Sequence, residues 1–185
     1  AASDVYKRQK QRSVLFFYTD LPTDNPAFTA VQKLSLLGAV AGPDIDDYNT
    51  AGNPKGLATL EMTAYRFRPD EPITLGEFSQ MAVKGLEIPL SITASHFTDV
   101  PRGHPAYKYI ETLYDYSTQS KQPFMEFAPN EDFLSARFHP DRKVNGTLAT
   151  KIISGLLKKS VPIWRTPNAN LTRGDAAQLV IQSLE

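Results

Sequence analysis

The sequence contains no cysteine. This absence excludes thiolate catalysis, disulfide bonds and cysteine-ligated zinc or iron–sulfur sites. An excess of either charge is also missing, since 20 Lys and Arg residues balance 20 Asp and Glu residues. A neutral chain argues against a nucleic-acid surface and a polybasic membrane anchor, because both need a clustered basic excess. No apolar run approaches the roughly 18 residues of a membrane-spanning helix.

Familiar catalytic patterns are missing too. The chain has no Gly-x-Gly-x-x-Gly, Walker, Gly-x-Ser-x-Gly or His-Glu-x-x-His sequence. Its three histidines, His96, His104 and His139, are too scattered to indicate a metal site. The acidic turn at residues 44–49 has Asn49 at the sixth position, where a calcium loop requires glycine. The sequence therefore predicts no catalytic residue, no metal and no cofactor, and we expect a non-enzymatic domain.

The length of 185 residues, with 14 Pro and 10 Gly, predicts one domain of short elements joined by turns. Residues 1–9 are set apart, because Asp4-Val-Tyr-Lys-Arg-Gln9 reads as the translation of a transposase library adaptor. The predicted domain is therefore 10–185. We expect it to be covalently continuous with an upstream domain whose native sequence is missing here.

An internal repeat is the most informative feature of the chain. Residues 18–28, YTDLPTDNPAF, match residues 97–107, FTDVPRGHPAY, without a gap. In each copy a polar residue, Asn25 or His104, precedes a proline. A polar cap followed by proline at the first helical position is typical of a helix start. Both copies therefore predict a helix beginning at that proline.

A second block repeats along the same chain. Residues 66–70, RFRPD, match residues 137–141, RFHPD, 71 positions later. Ile73-Thr-Leu-Gly-Glu77 matches Leu171-Thr-Arg-Gly-Asp175, 98 positions later. In this second pair a threonine is followed three residues later by an acid, which is a capping-box pattern. This block also predicts helix starts.

Apolar spacing predicts five amphipathic helices, near 26–38, 74–86, 105–117, 146–158 and 172–184. We therefore expect an all-α fold, a bundle of helix–loop–helix repeats with long irregular connectors. The units are repeat 17–88, repeat 96–158 and half repeat 163–185, so the first helix of a third unit is missing.

The long connectors, 43–72 and 118–144, contain several aromatic residues, which predicts that they pack onto the helices. These aromatic residues are Phe67, Phe124, Phe127, Phe133 and Phe138. Lysines on the predicted helices are interpreted as a solvated face. They are Lys84, Lys151, Lys158 and Lys159.

These motifs resemble the S-layer homology (SLH) family. Its pattern is Phe-x-Asp-Val/Leu-Pro before one helix, then Phe-x-Pro-Asn/Asp and Ile/Leu-Thr-Arg-Ala-Glu at the start of the next. The resemblance covers about residues 17–185. It implies an all-helical module, typically three repeats around a pseudo-threefold axis, that anchors proteins non-covalently to bacterial cell-wall polysaccharide. It also implies an extracellular, cell-envelope or cell-surface location.

The resemblance also indicates candidate binding residues. In the family, the arginine of the Thr-Arg-Ala-Glu helix start contacts an acidic sugar. Here only one of the three helix starts has an arginine at this position, Arg173. Leu75 and Gly146 stand at the other two. A helix N-terminus offers free N–H groups to an anion, and a guanidinium adds bidentate donors. The expected glycan-binding residues are Thr172, Arg173, Asp175, Asp20, Asp99 and Trp164. The alternative is structural: an arginine paired with carboxylates, loop aspartates that hold the fold, and a core tryptophan.

A second resemblance implies a different function. Residues 17–38, with Asn25-Pro-Ala-Phe28 and Gln32-Lys-Leu-Ser-Leu-Leu-Gly38, look like the C-terminal SLH-like tail of some bacterial FAD-dependent oxidoreductases. The alternative is therefore a structural or docking domain of a larger enzyme that has lost glycan binding. A free-standing hydrolase is a third class, and it would need two carboxylates facing each other across a cleft.

Overall fold

The computed structural model describes residues 18–40, 66–125 and 136–185. Five α-helices lie in these ranges: α1 Phe28–Leu36, α2 Leu75–Gly85, α3 Tyr107–Thr118, α4 Gly146–Leu157 and α5 Arg173–Gln182. The same ranges contain isolated β-bridges but no β-strand. The predicted all-α fold class is confirmed.

Some predictions fall outside the described residues. They concern the adaptor-like residues 1–9, the acidic turn at 44–49, much of both connectors, and Phe127 and Phe133. Of the five connector phenylalanines, the other three are all buried in the core. Their predicted packing is confirmed.

Three helix starts meet at the centre of the domain. Ile73, Val144 and Leu171 each lie one residue before a helix N-cap, and all three are fully buried. The Ile73 N–H donates to the Leu171 carbonyl (3.0 Å), the Leu171 N–H to Val144 (2.7 Å), and the Val144 N–H to Ile73 (3.3 Å). Because each residue donates once and accepts once, the three bonds close into a ring. We call these three residues the hub.

The same threefold pattern continues into the first turn of each helix, where N–H groups have no partner within the helix. The start of α2 donates to the turn before α4, the start of α4 to the turn before α5, and the start of α5 to the turn before α2. The bonds are Leu75 to Arg142 (2.7 Å), Gly146 to Ala169 (3.3 Å), Arg173 to Glu71 (2.9 Å), Gly76 to Pro140 (2.8 Å), Thr147 to Pro167 (2.8 Å) and Gly174 to Pro69 (2.9 Å). Each helix start is therefore satisfied by the next unit.

Side chains cap all three of these helices. Thr74 and Glu77 form the predicted capping box of α2. Asn145 accepts a hydrogen bond from the N–H three residues on, at 2.8 Å, and Thr172 accepts from the Asp175 N–H at 3.1 Å. These caps fix where the helices begin, and so hold the hub in register.

The outer helices begin later than the sequence predicts. Asn25 and His104 are not N-caps: their side chains accept from the Ala27 and Ala106 N–H groups, at 2.9 and 3.1 Å. Such a local side-chain bond closes a turn in competition with the helix. The proline therefore lies in the turn, and α1 and α3 start two residues after it.

The packing places α2, α4 and α5 at the centre, in contact with one another, while α1 packs on α5 and α3 packs on α2 and α4. Among the described residues no third outer helix packs against α4 and α5. Residues 159–167, which we call the strap, run back along α4 instead. The Val161 N–H donates to Ser154 (3.2 Å) and the Trp164 N–H donates to Thr150 (3.2 Å). The strap buries Val161 and Trp164 where an outer helix would lie.

Candidate functional site

The two loop aspartates make the same contacts in both copies of the repeat. The Asp20 carboxylate accepts from the N–H groups of Phe67 and Arg68, both at 2.8 Å. The Asp99 carboxylate accepts from those of Phe138 and His139, at 2.9 and 2.8 Å. Each aspartate uses both oxygens to hold a turn of the following block.

These turns contain a residue in an unfavourable backbone conformation. Arg68 and His139 have φ of 60° and 58°, the left-handed region that non-glycine residues seldom adopt. A carboxylate that accepts two adjacent N–H groups stabilises this conformation. Asp20 and Asp99 therefore have an evident structural role, and glycan contact by either stays a prediction.

Arg173 lies inside the domain, with 8% of its surface exposed. Its Nε donates to the Phe67 carbonyl at 2.8 Å, and its Nη1 donates to the Glu77 carboxylate at 2.7 Å. The guanidinium also lies over the Phe67 ring, 5.2 Å from the centroid. Arg173 thus joins the start of α5 to the turn at 67–71 and the start of α2, and fills what we call the Arg173 groove.

The charges in this groove are paired with one another. Arg68 contacts Glu71 at 3.0 Å and Glu77 at 4.0 Å. Burial lowers the pKa of Arg173, although the charge of Glu77 opposes the change. Partial burial alone would raise the pKa of Glu77, but the hydrogen bonds from Thr74 and the charge of Arg173 outweigh it, so that pKa is lowered. The Arg173 guanidinium and the Glu77 carboxylate therefore each favour the charged form of the other.

The remaining predicted site residues are also engaged within the domain. Thr172 caps α5, and the Asp175 carboxylate accepts from Arg165 at 2.9 Å. Trp164 is 6% exposed, and the Arg165 guanidinium lies 4.7 Å from its ring centroid. The buried Trp164 Nε1 has no hydrogen-bond partner among the described residues. The burial of Trp164 leaves little of its ring surface for a sugar to stack on.

A second groove lies at the equivalent turn. The start of α2 donates to the carbonyls of Pro140 and Arg142, and Leu75, at the position that corresponds to Arg173, is fully buried. A cavity of about 370 Å³ is lined by Asp99, His139, Pro140, Asp141 and Arg142. We call this space the Arg142 groove.

The side chains of the Arg142 groove are available for a ligand. His139, Asp141 and Arg142 are exposed, and within the described ranges their side chains make no hydrogen bond or ion pair. A guanidinium can donate to an acidic group, while a neighbouring carboxylate accepts from hydroxyl groups.

The third groove, between the start of α4 and residues 164–169, is closed by backbone. A Cβ at Gly146 would lie 2.7 Å from the Thr166 carbonyl oxygen and 3.1 Å from the Pro167 Cα. Gly146 is therefore required by a close approach of the chain, which explains why glycine stands at the position that corresponds to Arg173.

Sequence reasoning missed Arg142, because the family pattern directs attention to the arginine inside the helix start. The available signal was its position directly after the repeated RFHPD block, in the turn that faces the next unit. Among the described residues no cluster of His, Asp or Glu is suited to hold a metal ion, and no helix is long and apolar enough to cross a membrane.

No protein-family model and no curated protein matches this chain. The SLH resemblance therefore depends on the motifs themselves.

Proposed function

We propose that this domain is a non-catalytic module that attaches its parent protein to bacterial cell-wall polysaccharide, at the cell envelope or cell surface. The proposal combines the SLH resemblance with the geometry of the three grooves. The ligand would be an acidic sugar of the polysaccharide, and the contact residues would be Arg142, Asp141 and His139. The predicted role of Arg173 changes from sugar contact to support of the fold.

One observation carries the proposal. At equivalent positions of the threefold pattern, Arg173 is paired with Glu77 at one helix start, whereas Leu75 is buried at another and the adjoining turn has a cavity of about 370 Å³ and an exposed Arg142. An exposed arginine beside a cavity and a carboxylate provides polar groups that the fold itself does not use. Such groups are typical of a ligand site.

The experiment is cosedimentation with purified sacculi, with and without their secondary polysaccharide. We expect the wild-type domain to pellet only with sacculi that retain the polysaccharide. Arg142→Ala should weaken binding about tenfold, the value of one charge-assisted hydrogen bond. Arg102→Ala is the matched control, an exposed arginine elsewhere in the domain, and should bind normally. Unchanged binding by Arg142→Ala contradicts the assigned groove, and absence of wild-type binding contradicts the function.

A second candidate function is a structural or docking domain of a larger enzyme. The observation that favours it is the burial of Arg173, since the family arginine that this chain keeps is used inside the fold. Under this alternative the upstream domain would pack on the module. Limited proteolysis of the full-length protein would then show that loss of this domain destabilises the upstream domain, while sacculi binding would be absent.

A further inference from the structure

Another cavity lies between the strap and the end of α5. Its volume is about 260 Å³, and it is lined by residues 161–165 of the strap together with Leu179, Gln182 and Ser183. The strap is held to α4 by its hydrogen bonds to Thr150 and Ser154, and the cavity remains between the strap and α5. We call this cavity the strap groove.

The strap groove has the composition of a protein interface. Val161, Trp164 and Leu179 are buried in its wall. Among the described residues that line it, Arg165 alone is charged, and its guanidinium lies 4.7 Å from the Trp164 ring centroid. Interface centres are enriched in tryptophan and arginine and depleted in Lys, Asp and Glu. The groove is therefore suited to an apolar side chain of a protein.

Two large apolar side chains are exposed at this groove. Ile163 belongs to its lining and has 68% of its surface exposed, and Leu184, which directly follows the lining residue Ser183, is 48% exposed. A single exposed aliphatic residue is ordinary, but apolar residues grouped at a groove are typical of an interaction site.

The face is self-complementary, because an exposed isoleucine and a groove lie side by side on it. Under a twofold axis, Ile163 of each copy can enter the groove of the other, so that one contact generates a second, identical one. A cavity of roughly 150 Å³ already accommodates a benzene-sized group. The strap groove, at about 260 Å³, therefore has room for an isoleucine side chain.

The charges at the two ends of α5 favour an antiparallel arrangement of two copies. Near the start of α5, Arg165 contacts Asp175 at 2.9 Å, and beyond its end Glu185 contacts Lys33 at 3.4 Å. A twofold axis across α5 places the start of the helix in one copy beside its end in the other. The exposed Arg165 of each copy then approaches the exposed Glu185 of the other, and the two helix dipoles oppose each other.

We propose that two copies of this chain associate through their strap grooves, each burying the Ile163 side chain of the other. The inference goes beyond wall attachment and does not depend on it. The face is only as long as α5, about 15 Å, which is short for a permanent interface. We therefore expect a weak, reversible dimer with a Kd of about 100 µM. Such a dimer carries two Arg142 grooves, so its attachment to a polymer would gain from avidity.

The test is sedimentation equilibrium of the 185-residue chain over a range of concentrations. With a Kd of about 100 µM, about 15% of the chains should be dimeric at about 10 µM and about 80% at about 1 mM. Ile163→Glu should weaken association about thirtyfold or more, because the carboxylate would be buried in an apolar groove. Ile92→Glu is the matched control, since it makes the same substitution at an isoleucine that is 47% exposed and does not line the groove. It should associate within about twofold of wild type.

A second measurement assigns the interface to the groove. Trp164 is the single tryptophan of the chain, so its indole N–H gives one peak in a proton–nitrogen NMR spectrum. Because Trp164 lines the groove, this peak should shift with concentration in wild type and in Ile92→Glu, and stay constant in Ile163→Glu. Far-UV circular dichroism checks that both variants fold.

Three results would overturn the inference. The first is a wild-type chain that stays monomeric at about 1 mM, which would assign the groove to a different occupant, such as the upstream domain. The second is equal association of wild type and Ile163→Glu, or an equal loss in both variants. The third is a dimer whose formation leaves the Trp164 indole peak unchanged.

Discussion

Replacing Arg173 by alanine should destabilise the domain, because this side chain joins the last helix to the first unit. The substitution removes the bonds to the Phe67 carbonyl and to Glu77, together with the contact over the Phe67 ring. It leaves the carbonyl without that partner, and Glu77 with its bonds to Thr74 and its 4.0 Å contact with Arg68.

The magnitude follows from these contacts. A hydrogen bond to a charged group contributes about 1.5–3 kcal/mol, and a cation over an aromatic ring about 1 kcal/mol. The Glu77 side chain is 39% exposed, so solvent screening reduces the contribution of the ion pair. We expect a loss of about 3 kcal/mol in the free energy of unfolding. For a domain of this size, that is a fall in Tm of about 6–12 °C.

The assay is urea unfolding followed by circular dichroism at 222 nm. Arg173→Leu is the informative control, because Leu75 is fully buried at the equivalent position. It should lose about 1 kcal/mol less than alanine, since it refills part of the space. A double-mutant cycle with Glu77→Gln should give a coupling energy of about 1 kcal/mol. Unfolding of Arg173→Ala within 0.5 kcal/mol of wild type would refute the structural role of Arg173.

Three further predictions concern Gly146, Asp99 and Glu77. Gly146→Ala should cost about 2–3 kcal/mol in urea unfolding, because its Cβ would meet the Thr166 carbonyl, although alanine favours helices. Asp99→Ala should cost about 2 kcal/mol and speed amide exchange at His139, which loses its acceptor. The pKa of Glu77 is lowered, so its stabilising contribution is complete above the unfolded-state value and disappears as pH falls through the folded-state value. Wild type should therefore be more stable than Glu77→Gln at pH 7, and the difference measured by unfolding at stepped pH should begin to shrink near the unfolded-state value of about 4.3 and disappear only below the lower folded-state value. A constant difference over that range would contradict the assignment.

The inner helices were predictable from the sequence because their starts depend on local chemistry. Thr74 and Glu77 are close in the chain, so their capping box is readable without knowledge of the fold. The starts of α1 and α3 were displaced by two residues, because Asn25 and His104 close a turn that competes with the helix. Helix periodicity does not reveal such a competition.

The site was harder to predict, because its residues are brought together by non-local pairing. The RFRPD and RFHPD blocks are visible in the sequence, but their bonds to Asp20 and Asp99 join residues 47 and 39 positions apart. The partner of Arg173, Glu77, lies 96 positions away in the chain. No local pattern distinguishes this buried arginine from an exposed one that contacts sugar.

The most direct test of wall attachment is an NMR titration of the labelled domain with soluble cell-wall polysaccharide. Amide shifts should change at the turn at 138–142, while those beside Arg173 stay constant. Shifts centred on Arg173 and Thr172 would instead assign binding to the family position. Wall attachment would be contradicted if no amide shift changed at a polysaccharide concentration that saturates control proteins that bind sacculi.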